Sequence, residues 1–143
     1  MNVIFDVLNN DKSSYRATII NVLEEENCII CKVEIYRKID IERDPFVNRV
    51  DFPLIKTTKK DDGYSRQLGY YGLKIGSFVT IDPFLGEFLV KNPRGEIIGE
   101  LSTKAVAFYD EHKMNKIYAK YVGKTVNDSL NVTGIIRMYE IIR

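Results

Sequence analysis

Only one stretch of this chain, residues 102–112, carries apolar side chains at helical spacing. Nearly every other apolar run is a short, β-branched segment closed off by turn residues. Tyr15-Arg16-Ala17-Thr18-Ile19-Ile20-Asn21-Val22-Leu23 follows the polar cluster at residues 9–14, and a return strand over residues 28–36 follows the acidic turn Glu24-Glu25-Glu26-Asn27. A third strand is expected near residues 50–55, with Pro53 confining it to an edge or a bulge. Thr57-Thr58-Lys59-Lys60-Asp61-Asp62-Gly63 is the strongest loop signal and reads as mobile.

Beyond that loop, strands are expected at residues 77–81, 87–91 and 96–101, separated by the turn sequences Asp82-Pro83 and Asn92-Pro93-Arg94-Gly95. Ser102 caps the one helix, whose Ala105, Val106, Phe108 and Tyr109 are its core face, and residues 116–122 and 132–142 end the chain as strands. The expected fold is mainly β: a small β-barrel with one covering helix plus an N-terminal β extension. No internal repeat divides the chain.

Size and composition agree with one domain, or two small lobes. The 143 residues are 45% hydrophobic, which excludes disorder, and no run of about 18 apolar residues exists to span a bilayer. Asp6 interrupts the first apolar stretch and no basic segment precedes it, so no secretory signal is expected. Two cysteines do not make a disulfide framework; a soluble, reduced, cytoplasmic protein is the expectation.

The formal charge of +1 conceals an asymmetry. Residues 1–55 carry seven basic and ten acidic groups, whereas residues 113–143 carry six basic groups against two acidic ones. Local basic excess of this kind suits a small anionic ligand surface, although bulk nucleic-acid binding ordinarily goes with a more basic total.

Catalytic constellations are scarce. His112 is the single histidine, and its place at the end of the helix suits interaction with the helix dipole rather than a triad. Cys28 and Cys31 have the spacing of a metal or redox pair, but strand geometry points side chains three apart to opposite faces, and no further ligand pair accompanies them. Asp82, Glu87 and Lys91 are only loosely nuclease-like, and the glycines form neither a P-loop nor a dinucleotide fingerprint. The chain therefore reads as a non-enzyme with no cofactor and no metal. What remains is an aromatic and basic cluster, Tyr64, Tyr70 and Tyr71 with Arg66 and Lys74 among them, of the kind that stacks bases and contacts phosphates.

From about Gln67 to Tyr139 the chain resembles the HIRAN domain, a β-barrel module found beside helicases and alone in bacteria and phages. The likeness is carried by Tyr70-Tyr71-Gly72, by Phe78-Val79-Thr80-Ile81, and by Leu89-Val90-Lys91-Asn92-Pro93-Arg94-Gly95-Glu96-Ile97-Ile98-Gly99-Glu100-Leu101. The helix over residues 102–112 and the strand over 117–122 complete the order. The family's Asn-Pro-x-Asp loop survives only as Asp82-Pro83-Phe84-Leu85-Gly86-Glu87, so the acid that would receive a strand's 3′ end has no counterpart. The resemblance implies recognition of single-stranded DNA or its ends.

These readings divide the chain into an N-terminal β extension or small lobe, residues 1–66, and a HIRAN-like β-barrel module, residues 67–143. The expected function is non-enzymatic binding of single-stranded nucleic acid or a related nucleotide ligand. Tyr70 and Tyr71 would stack, Arg66, Lys74, Lys91 and Arg94 would contact phosphates, and Phe84 would form an apolar wall. Two alternatives stay open. The abundance of Ile, Asn, Lys and Tyr fits an AT-rich bacterium or its phages, and a small phage-type inhibitor would sequester a host defence protein or a small signalling nucleotide. A structural, oligomerising component is the other, since strand edges left open favour a homo-oligomer.

Overall fold

The computed structural model describes the backbone of residues 3–8, 14–25 and 28–142 and the side chains of residues 39–142. The chain separates into two compact units, residues 1–47 and residues 48–143. The first unit holds a three-stranded antiparallel meander of β1 (Val3–Leu8), β2 (Ser14–Glu25) and β3 (Cys28–Ile39). Cys28 and Cys31 both belong to β3, as expected, while their side chains, like the turn residues Glu26 and Asn27, lie outside the described residues.

The second unit is a six-stranded antiparallel sheet and one helix. Its strands are β4 (Val47–Pro53), β7 (Phe78–Phe84), β8 (Glu87–Lys91), β9 (Ile97–Glu100), β10 (Lys116–Val126) and β11 (Val132–Ile141), in the order β4-β11-β10-β7-β8-β9. Pro53 ends edge strand β4, where its missing N–H costs no ladder bond. Because β4 pairs with β11, residues 48–66 belong to this sheet unit, and the boundary lies well before residue 66.

The sheet is not closed into a barrel, which corrects the expected architecture. A lone antiparallel bridge between Ile55 and Glu100 links the segment after β4 to the far edge strand β9. That crossing depends on Gly99, since a Cβ there would lie 3.0 Å from the Ile55 carbonyl oxygen and 3.1 Å from Leu54. The glycine of the hydrophobic-Gly-x-Leu sequence is thus where two segments meet.

Helix α1 (Thr103–His112) begins as its sequence dictates: the Ser102 hydroxyl oxygen accepts the Ala105 N–H at 3.3 Å. Ala105 is fully buried, and Val106, Phe108 and Tyr109 pack on a core centred on Val90, Ile98, Ile136 and Met138. Phe52–Phe108 and Phe88–Tyr109 ring contacts, at 5.8 and 5.5 Å between centroids, join helix to sheet. No helix among the described residues is long and apolar enough to cross a membrane.

The stretch read as a loose loop is instead a tight hairpin. β5 (Lys60–Asp61) pairs with β6 (Tyr64–Ser65) across Asp62 and Gly63, both at positive φ, as a two-residue primed turn requires. A 3₁₀ turn over Arg66–Tyr70 follows, begun by the Ser65 hydroxyl oxygen, which accepts the Gln67 N–H.

Candidate nucleic-acid interface

Beside β9, the β5–β6 hairpin and the 3₁₀ turn form one wall of a groove of about 360 Å³, and the turn entering β9 forms the other. Tyr64, Leu68 and Ile97 supply its apolar surface, with Asp61, Arg66 and Glu96 as its charged residues. The Tyr64 ring is 72% exposed and Leu68 45%, so both are open to a ligand.

Buried polar contacts fix these walls. Arg66, only 2% exposed, donates through Nε and Nη2 to the two Asp61 carboxylate oxygens at 2.8 and 3.1 Å. Its Nη1 reaches Glu100 Oε2 at 2.7 Å and the Lys56 carbonyl at 3.1 Å. Those bonds, first of all the one from Arg66, hold the Asp61 carboxyl below its usual range and raise the guanidinium further. The Gln67 amide donates to Val132 O and accepts from Val132 N, completing a two-bond link where β4 no longer covers β11. Across the groove, buried Asn92 donates to the Gly69 carbonyl at 2.9 Å and accepts the N–H groups of Arg94 and Glu96.

The seven residues expected at the surface divide sharply. Arg66 is an internal ion-pair centre: four of its five N–H groups donate to Asp61, Glu100 and the Lys56 carbonyl, and the buried guanidinium does not project toward a phosphate. Tyr70 is equally structural: its hydroxyl donates to Ile98 O at 2.7 Å and accepts Gly134 N–H at 3.1 Å, and its ring meets Tyr121 at 6.1 Å. Burial pushes this hydroxyl up to about 12, against the opposing effect of the Gly134 bond. Tyr71, by contrast, is 73% exposed, and its carbonyl accepts Arg94 Nη2 at 3.0 Å. Arg94 also pairs with Glu96, and Lys91 is held by Asp82 at 2.7 Å across the β7–β8 pair. Lys74 is exposed, with no carboxylate within 4.0 Å among the described residues. Phe84 is exposed at the β7–β8 tip but does not line the groove.

The structure therefore gathers Tyr71 and Arg94 and takes Arg66 and Tyr70 inside. Leu68, Ile97, Asp61 and Glu96 were missed by sequence reasoning. The signal for them was the Asp62-Gly63 primed turn, which sets a short hairpin directly before the 3₁₀ segment.

A second polar cluster lies at the helix end. Glu140, 3% exposed, accepts from His112 Nδ1 and Asn115 Nδ2, both at 2.8 Å, and from Asn48 Nδ2 at 3.5 Å. Burial alone would raise this carboxyl, but the bonds from Asn115, Asn48 and His112 outweigh it and hold it low. Hydrogen bonding by Arg137, at 2.6 and 3.0 Å, lowers Asp51 as well. Asp51, Asp61 and Glu140 thus bind protons less readily folded than unfolded. Their contribution is complete above the ordinary values of 3.8 for Asp and 4.5 for Glu and is lost as pH falls through the lower folded values. Urea unfolding should show a midpoint that falls steeply below about pH 4, and Glu140→Gln should flatten part of that fall.

Compared with protein-family models, curated proteins and solved structures, the chain finds no match.

Proposed function

We propose that this protein is a non-enzymatic module that binds single-stranded nucleic acid, seating an unpaired base in the groove beside Tyr64. The single observation that carries the reading is an exposed ring, Tyr64, on the apolar groove formed with Leu68 and Ile97. Tyr71 offers a second platform, and Arg94 and Lys74 are its phosphate contacts. The HIRAN-like order of segments supports the same reading, since its strand–turn–strand segment forms β8, the turn and β9, and so supplies one groove wall.

With only Arg94 and Lys74 placed against phosphates, binding should be only modestly salt-dependent. Two phosphate contacts correspond to a log–log slope of about −1.4 for a single strand. Fluorescence anisotropy with a labelled oligonucleotide of about twelve nucleotides, titrated at several salt concentrations, measures both affinity and slope. Tyr64→Ala should weaken binding by about 5- to 150-fold, the range of one lost stacking platform. Wild-type affinity in a folded Tyr64→Ala/Tyr71→Ala variant would sink the proposal.

A protein partner is the second reading, and one feature favours it. The β7–β8 turn exposes Phe84 and Leu85, 56% and 86% accessible, and Leu85 holds the positive φ usually left to Asn or Gly.

A further inference from the structure

We propose that the groove reads the amino group of a base, with Glu96 as the specificity-determining residue. The inference rests on the single-strand reading above and deepens it.

Besides the Tyr64 and Ser65 hydroxyls, the polar side chains of the groove are those of Asp61, Arg66 and Glu96. Arg66 has its guanidinium consumed by Asp61, Glu100 and the Lys56 carbonyl, and Arg94 turns toward Tyr71 O and Glu96. The charged oxygen left open on the walls is therefore that of Glu96, since both Asp61 oxygens already accept from Arg66. An acceptor wall repels phosphate and carbonyl oxygen and selects N–H donors.

Glu96 is the better placed of the two. Its Oε1 accepts Arg94 Nε at 2.5 Å and Asn92 Nδ2 at 3.1 Å, while Oε2 takes no hydrogen bond among the described residues. Asn92 is 2% exposed and is itself held by Gly69 O and by the N–H groups of Arg94 and Glu96. A buried amide thus orients the carboxylate before any ligand arrives, leaving one oxygen open. Hydrogen bonds from Arg94 and then Asn92 keep this carboxyl below its usual range, so the open oxygen is charged at neutral pH.

Cytosine and adenine carry an amino donor at the edge where thymine carries a carbonyl acceptor, and a carboxylate paired with cytosine N4–H is a standard readout. Uracil matches thymine there without the methyl group. The ligand class is accordingly a strand whose seated base bears an exocyclic amino group.

The test compares labelled oligo(dC) with oligo(dU) of equal length by fluorescence anisotropy at neutral pH, for the wild-type protein and for Glu96→Gln. The two strands share backbone charge and ring size and differ at the base 4-position, amino in cytosine and carbonyl in uracil, and in the N3 proton that uracil carries and cytosine lacks. Wild type should prefer oligo(dC) by about tenfold. Glu96→Gln, whose amide can donate to a carbonyl, should bring the ratio near one, chiefly by tightening oligo(dU). Circular dichroism checks that the variant is folded, and Glu96→Asp, which keeps the charge, should retain part of the preference. Equal wild-type binding of the two strands overturns the amino-group inference and leaves the single-strand reading standing. A full preference surviving in folded Glu96→Gln removes Glu96 from the role. Failure of both strands to bind overturns both proposals.

Discussion

Arg66→Met should lower the stability of the protein by about 3–5 kcal/mol, the usual result of removing one partner from a buried ion pair. Methionine fills much of the arginine stem's volume, so the loss reports charge and hydrogen bonding rather than a cavity. Among the described residues it leaves Glu100, 4% exposed, with the Lys56 ammonium at 3.6 Å as its one side-chain partner, and frees Asp61 from both its bonds to Arg66. Urea denaturation should show a lower midpoint at unchanged slope. Adding Glu100→Gln to Arg66→Met should recover part of the loss, because the orphaned charge is then gone. A single Arg66→Met variant that unfolds at the wild-type midpoint would contradict the ion-pair account. Loss of ligand binding in that variant would report a damaged groove wall, not a missing phosphate contact.

Tyr70 and Tyr71 should behave oppositely although they are adjacent. Tyr70→Ala removes a ring packed against Tyr121 and against Gly134, where an added Cβ would lie 2.9 Å from that ring, and should cost about 3 kcal/mol or more. Tyr70→Phe keeps the ring but strands Ile98 O and Gly134 N, a loss of about 1–3 kcal/mol. Tyr71→Ala, at a site 73% exposed, should change stability by no more than about 0.5 kcal/mol while weakening oligonucleotide binding. Thermal unfolding and anisotropy on the same preparations separate the two effects. Equal stability losses at both positions would refute the division between them.

The sequence made the secondary structure far more legible than the site. Ser102, Ala105, Val106, Phe108 and Tyr109 mark a helix whose cap and buried face are local matters, and the helix runs where they place it. The turn at Asn92-Pro93-Arg94-Gly95 between β8 and β9 is equally local, but Asp82-Pro83 is no break: β7 runs through both residues, paired with β8, and the chain turns at Leu85-Gly86 instead. Closure is not: whether six strands join into a barrel depends on pairing at the two sheet edges, and only Ile55 and Glu100 bridge them. Arg66 was misread for a related reason. Its partners Asp61 and Glu100 lie five residues before and 34 residues after it, and only the nearer is visible as a neighbour. Tyr70 and Tyr71 look alike in a list of residues, yet the 3₁₀ turn ends between them and directs one ring inward. Glu96 escaped notice because its orientation comes from Asn92, a turn residue whose side chain is buried.

The link between residues 66 and 100 has a thermodynamic corollary. Both walls of the groove are fastened by contacts distant in sequence: Arg66 with Glu100, Gln67 with Val132, Asn92 with Gly69. Each closes a loop of 23 to 65 residues, so the groove exists only where the fold around it is assembled. No partly folded chain then owns the groove, and a ligand seated in it draws on the native state alone. Every tenfold excess of ligand over its dissociation constant should accordingly add about 1.4 kcal/mol to global stability. A rise in melting temperature on adding oligonucleotide thus becomes a binding assay needing no label.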